Sequence, residues 1–400
     1  MNLAKLPGLV NVHSHTFQRV IRGRTEHRTS ASRDNFWTWR EAMYHAANLL
    51  SPEDIYDVAR MAFLEMALSG ITTVGEFHYL HHAPDGTPYA DRNLLALQIV
   101  RAAREVGLRI ALLRTAYARA GWQKPPNPGQ ARFLTPSLAD FIRDTEDLRT
   151  KLGSDAGAWV GVAPHSVRAL PLDYLKEIAV YARANLLPVH MHVSEQPAEI
   201  EECIAEHGVR PVAMLQEHGI LDASFTGIHA IHITTSESDY LGAARARVCA
   251  CPTSERNLGD GPVPADRLNA AGVEICFGSD SNVQIDILED ARLLEYDLRI
   301  EKLQRAILDP QRLFDGATKF GAAALHAPVG DDYFTVDLND PSIAGAEPSA
   351  FLNNVVFCLE RTAIREVVVN GKSIVKDGRH LLAEEITSRF RSVQERLWRQ

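Results

Sequence analysis

His13 and His15 stand two residues apart at the end of the apolar run Leu6-Pro7-Gly8-Leu9-Val10-Asn11-Val12. On an extended strand that spacing sends both imidazoles out of the same face. Two neutral imidazoles side by side suit a divalent cation such as zinc. A histidine pair also occurs at strand ends by chance, so the reading depends on partners elsewhere in the chain. His165 and Arg168 follow the apolar run 159–163, and His190 and His192 close the run 187–193, with Glu195 just beyond. His229 ends a further run, 225–231, and Asp280 follows 273–277. Imidazole nitrogen and carboxylate oxygen around an open coordination position are what metal-assisted hydrolysis requires. Cys249 and Cys251 sit inside an apolar run and read as buried thiols rather than a metal pair.

These side chains share a place if the runs that carry them are neighbouring strands. Short apolar segments at 8–13, 71–77, 109–115, 159–163, 187–193, 225–231, 247–251 and 273–277 alternate with amphipathic helices. Ser51-Pro52-Glu53-Asp54 opens one such helix with a capping serine, a first-turn proline and acids at the positive dipole end. Helices over 93–106 and 172–184 follow the same logic. Eight strand-plus-helix units predict a (β/α)8 TIM barrel, whose chemistry lies at the C-terminal strand ends. Asn35-Phe36-Trp37-Thr38-Trp39-Arg40 falls in an arginine-rich stretch that reads as a loop. Past residue 330 the pattern turns to hairpin material around Asn370-Gly371, then a last amphipathic helix from Ala383. The expected organisation is a barrel over 6–328, a small β-sandwich segment over 329–380 and a helix over 381–400.

The 400 residues are 46% hydrophobic and 23% charged, ordinary for a soluble globular protein. A net charge of -9 argues against a nucleic-acid binder but not against a small anionic substrate met by local arginines. No apolar run approaches the ~20 residues of a membrane span, and the N-terminus does not read as a signal peptide. Five cysteines without framework spacing fit a reducing compartment, so a cytoplasmic location is expected.

The histidine pair on strand one, histidines on strands five and six, and an aspartate on strand eight resemble the amidohydrolase superfamily. His192-x-x-Glu195 resembles its mononuclear deaminases, and Pro164-His165 stands where two-metal members carry a lysine. Further segments resemble the formimidoylglutamate deiminases. They are His13-Ser14-His15-Thr16-Phe17-Gln18-Arg19, Phe36-Trp37-Thr38-Trp39-Arg40-Glu41, Glu76-Phe77-His78-Tyr79, His165-Ser166-Val167-Arg168 and Ser254-Glu255-Arg256-Asn257-Leu258-Gly259-Asp260-Gly261.

The resemblance implies one zinc ion per chain, or ferrous iron, on His13, His15, His192 and Asp280. Asp280 would also take a proton from the attacking water, Glu195 would carry a proton to the leaving nitrogen, and His229 would steady the tetrahedral centre. His190 would lie deeper, as a core or supporting histidine. Arg40 and Arg168 would read carboxylates through guanidinium forks, with Gln18, Tyr79 and His165 as further pocket donors. Trp37 and Trp39 would pack the segment that presents Arg40. The implied activity is hydrolytic deimination of N-formimino-L-glutamate in histidine degradation by a homodimer, with no nucleic-acid or membrane partner. A deaminase of cyclic amidines and a non-catalytic scaffold are the alternatives. Relatives usually carry strands before the barrel, so the small β unit is expected either from the C-terminal segment alone or with a start that has been lost.

Overall fold

In the computed structural model, which describes residues 2–28 and 34–399, thirteen strands divide between two sheets. The larger sheet has eight strands in chain order: β2 (Leu9–Ser14), β3 (Ile71–His78), β4 (Arg109–Ala116), β5 (Ala158–Pro164), β6 (Val189–Val193), β7 (Phe225–His229), β8 (Arg247–Ala250) and β9 (Glu274–Phe277). All neighbours are parallel. Every residue of β2, β3 and β4 is buried, because side chains fill the barrel inside and helices cover it outside. That two-sided burial makes the strands read as unbroken apolar runs. The eight expected strands all form, with ends moved by one or two residues.

The ring closes where β9 returns to β2. Asp280 N–H donates to His13 O, and His15 N–H donates to Asp280 O, both at 2.9 Å. Gly278 is required beside this seam, since a Cβ there would lie 2.8 Å from His13 O and 2.9 Å from His13 N. Side chains bolt the same joint. Asn11 Nδ2 donates to Ser279 Oγ at 2.7 Å, Ser279 Oγ to Asn282 Oδ1 at 2.7 Å, and Asn282 Nδ2 to Ser14 Oγ at 3.2 Å.

The smaller sheet is antiparallel, in the order β1 (Leu3–Pro7), β10 (Tyr333–Asp337), β11 (Ile364–Val369), β12 (Lys372–Lys376), β13 (Arg379–His380). β1 pairs with β10 from Leu3 opposite Asp337 to Pro7 opposite Tyr333. This corrects the expectation of a unit built from the C-terminal segment alone, because the sheet takes an edge strand from the other end of the chain. It is a single sheet, with no second layer to make a sandwich among the described residues. Gly8 is the joint between the two sheets, its N–H donating to Asp332 O at 2.9 Å. Asn370 and Gly371, with φ of 49° and 72°, make the primed turn their types favour. The last helix, Ala383–Trp398, returns to the helix Pro52–Leu68 through Arg60 with Glu385 and Arg396 with Asp54. No described helix is long and apolar enough to cross a membrane.

A second correction concerns the segment read as a loop. Phe36–Leu49 is a helix. Asn35 Oδ1 accepts from Trp37 N–H at 2.9 Å, and Thr38 Oγ1 accepts from Asn35 N–H at 3.0 Å, a reciprocal cap. Residues 29–33 of that arginine-rich stretch lie outside the described residues.

Candidate active site

His13 and His15 end β2, His192 lies in β6, His229 ends β7, and Asp280 follows β9. Nε2 of His192 is 3.2 Å from Nε2 of His13 and 3.4 Å from Nε2 of His15. Asp280 Oδ1 is 3.2 Å and 3.4 Å from the same two nitrogens. Ligand atoms about 2.0–2.1 Å from a tetrahedral ion stand about 3.3 Å from one another, so this donor set fits a divalent cation.

The outer ring nitrogens support that fit. His15 Nδ1 faces Phe77 O at 2.9 Å, and His192 Nδ1 faces His165 O at 3.1 Å. A carbonyl only accepts, so Nδ1 carries the proton and the Nε2 lone pair is left for the centre. Burial lowers the pKa of His13 to about 3 and lowers those of His15 and His192, keeping the rings neutral. Burial opposes the charge of Asp280, but the neighbouring His13, His15 and His229 together outweigh it and hold the carboxyl below its ordinary range.

A second cluster adjoins the first. His229 Nε2 is 3.9 Å from Glu195 Oε1, and its Nδ1 is 3.1 Å from Glu255 Oε1. Burial disfavours an imidazolium here, but Glu195 and then Glu255 prevail and raise the pKa of His229 well above normal. Burial raises the pKa of Glu195. Ligand atoms of His13, His192, His229 and Asp280 all fall within 4.8 Å of one another, as do those of His229, Cys251 and Glu255. Ser194, His229 and Asp280 have φ of 53°, 70° and 43°, so the chain is strained where strands turn to aim these groups.

A pocket opens on the donors, and the structure places Gln18, Arg40, Tyr79, His165 and Arg168 in its wall together with Glu195 and His229. Gln18 Nε2 donates to Tyr79 OH at 3.0 Å, and Arg168 Nη1 to Tyr117 OH at 3.3 Å. The Arg40 guanidinium lies 4.5 Å over the Trp37 ring, and its buried Nε and Nη1 have no partner among the described residues. A buried guanidinium left without acceptors is costly, so this one points to an anionic ligand. Trp37 packs under Arg40, whereas Trp39 also lines the pocket.

Several groups lay outside the sequence reading. Glu255 accepts from both His229 and the Cys251 N–H, at 3.1 Å and 2.9 Å. Glu199 accepts the N–H of Ser194 at 3.0 Å and so holds the turn that carries Glu195. Tyr44 follows Arg40 by one helical turn, a spacing legible only once the helix is known. His190 sits in the core with Nε2 on Ala324 O at 2.9 Å. His81 and His82 are tied to the carbonyls of Thr115 and Leu134, at 2.8 Å and 2.9 Å.

Comparison with known proteins agrees with this geometry. The model of the amidohydrolase family matches residues 4–374. The chain is 38% identical to a formimidoylglutamate deiminase of Pseudomonas aeruginosa over 97% of its own length and 88% of that protein's. A crystal structure of an amidohydrolase from Brucella melitensis superposes with a TM-score of 0.92 at 37% identity, covering 98% of this chain and 89% of that one. An adenosine deaminase from Xanthomonas campestris, solved with bound zinc, shares the fold at a TM-score of 0.84 and 21% identity, covering 99% and 86%. This chain belongs to the amidohydrolase family.

Proposed function

We propose that the pocket takes N-formimino-L-glutamate and hydrolyses it to N-formyl-L-glutamate and ammonia, a step of histidine degradation. The observation that carries this reading is Arg40, whose buried Nε and Nη1 have no partner among the described residues, in the same small pocket as Arg168 and the His/Asp donor set. Two arginines fit the two carboxylates of such a substrate, whereas a purine or pterin offers no such charges. The 38% identity to the Pseudomonas deiminase supports the same choice.

His13, His15, His192 and Asp280 would hold zinc, with ferrous iron as the alternative the same donors accept. A divalent ion held there supplies Lewis acidity that lets water ionise near neutral pH. Asp280 is positioned to accept the proton of the attacking water as its oxygen bonds to the formimino carbon. Glu195 delivers a proton to the departing nitrogen, the C–N bond breaks, and ammonia leaves. His229, kept cationic between Glu195 and Glu255, stands against the charge that develops at the tetrahedral carbon. Gln18, Tyr79 and His165 are further donors to the substrate in the pocket wall. The reading includes a homodimer, which the family resemblance supports, and a cytoplasmic location, in keeping with five free cysteines.

The test is ammonia release from N-formimino-L-glutamate by purified protein with its metal quantified. Release at enzymatic rates supports the assignment, and metal-loaded protein that releases none rejects it. A parallel panel of adenosine and pterin amidines separates it from a cyclic-amidine deaminase.

A further inference from the structure

Behind the pocket wall, Gln130 joins two tyrosine hydroxyls that the reading above leaves unused. Its Nε2 lies 2.7 Å from Tyr44 OH and 2.7 Å from Tyr117 OH, and all three residues are buried. Tyr44 and Tyr117 line the pocket, and Gln130 stands behind them. The three come from separate elements: Tyr44 from the helix Phe36–Leu49, Tyr117 from just after β4, and Gln130 from the 3-10 turn Pro128–Phe133. Asn48 Nδ2 donates to Tyr44 O at 2.9 Å and to Gly129 O at 3.0 Å, fastening the turn to the helix.

Counting protons fixes which way these groups point. With the amide nitrogen toward the tyrosines, both N–H bonds of Gln130 are used and only Oε1 is left without a partner. Reversed, one oxygen would serve both phenols and two N–H groups would be orphaned where Oε1 is buried, whereas here the two phenol protons left over face the pocket. Each phenol oxygen is therefore an acceptor, and that of Tyr117 is doubly so because Arg168 Nη1 also donates to it. Neither hydroxyl proton has an acceptor among the described residues, and the pocket is the space both side chains line. Burial pushes the Tyr44 phenol above its ordinary range, so it is a donor and not a phenolate.

We propose that Tyr44 and Tyr117, their protons aimed by Gln130, complete with Arg40 and Arg168 a cradle that selects a dicarboxylate. The choice of substrate rests on the deiminase reading, but the cradle itself does not need turnover. The arginines supply charge for two carboxylates, and the phenols supply directed donors that a freely rotating hydroxyl would not. A ligand with one carboxylate leaves part of the cradle facing nothing, and its binding suffers accordingly.

The experiment titrates the zinc-loaded protein with glutarate by calorimetry, in wild type and in Tyr44→Phe, Tyr117→Phe and Gln130→Leu. Each phenylalanine change removes a hydrogen bond to a charged carboxylate, worth about ten-fold in affinity, and Gln130→Leu frees both phenols to rotate and weakens both contacts at once. Kinetics on N-formimino-L-glutamate and N-formimino-4-aminobutyrate should show KM for the former rising about ten-fold, kcat changing less, and the preference between the two narrowing. A purely structural role would not narrow that preference. Glutarate binding unchanged in both phenylalanine variants overturns the proposal, as does a wild type that binds no glutarate. If wild type deiminates nothing yet loses glutarate affinity in the variants, the cradle stands and the deiminase reading falls.

Discussion

Arg114 and Arg40 both hold guanidinium nitrogens away from water, and they differ in what the chain offers them. Arg114, on β4, donates to Asn93 Oδ1 at 3.0 Å and His81 Nδ1 at 3.3 Å, and its Nη2 meets Asp144 Oδ2 at 3.2 Å. Burial lowers its pKa to about 10, with Asp144 opposing the fall, so the charge is kept and matched internally. Arg40 rests on the faces of Trp37 and Tyr44, with no acceptor for Nε or Nη1 among the described residues. A buried cation that the chain pairs with its own carboxylate is scaffold, even with Arg114 Nε left over. One that the chain leaves open is waiting for something from outside. The same distinction separates His81, spent on Thr115 O and Arg114, from His13 and His192, whose Nε2 atoms face each other and Asp280.

The contrast can be broken in several places. The largest effect belongs to the open side: Asp280→Ala should lower kcat at least about a thousand-fold and reduce bound zinc, while the metal-free protein still melts cooperatively. Retained zinc with near-normal turnover would remove Asp280 from both roles. On the internally paired side, Asp144→Ala strands the Arg114 charge and should cost about 3–5 kcal/mol in urea unfolding, with KM of the folded fraction unchanged. Arg40→Met is the mirror image, a KM raised about ten- to a hundred-fold with the urea midpoint unchanged or higher. If Arg40→Met lowers stability as Asp144→Ala does, the two arginines are not different in kind.

The pH dependence of the metal-free protein reads both regions. Burial, helped by Arg114, lowers the pKa of His78 from 6.5 to about 3, and burial lowers that of His190 to about 4. The unfolded chain then binds protons that the fold refuses, so stability falls as pH drops below 6.5 toward these values. Burial raises Glu76 and Glu199 from 4.5 to about 7. There the fold holds protons the unfolded chain has lost, so stability falls as pH rises from 4.5 through about 7. The urea midpoint should therefore pass through a maximum at roughly pH 5–6. A midpoint that climbs steadily from pH 5 to 8 would contradict it. The smallest effect is Asn35→Ala, which removes the cap of the helix bearing Arg40 and Tyr44, costs about 1 kcal/mol and raises KM a few-fold.

Much of this was legible in the chain because burial on both faces writes a strand as an apolar run and the last residues of each run carry the chemistry. His13, His15, His192, His229 and Asp280 stood out by their place at the ends of the runs, but the choice of His13, His15, His192 and Asp280 as a donor set, like that of Arg40 and Arg168, came with the resemblance of their segments. The helix Phe36–Leu49 was not, because Phe36, Trp37, Thr38 and Trp39 are weak helix formers and the cap at Asn35 stands before them instead of an apolar period. Losing that helix hid Tyr44. Gln130, Tyr44 and Tyr117 meet only through tertiary packing, so no spacing announces them. β1 escaped notice since its partner β10 lies at the other end of the chain.

The seam between β2 and β9 has a consequence in time. His13 and Asp280 are bonded backbone to backbone there, yet one is made near the start of synthesis and the other after most of the chain. No emerging fragment that ends before Asp280 can assemble the full donor set, however well its early strands pair. A cation that needs all four donors would bind the finished molecule best, and mass action from the metal pool would then favour closed rings over partial ones.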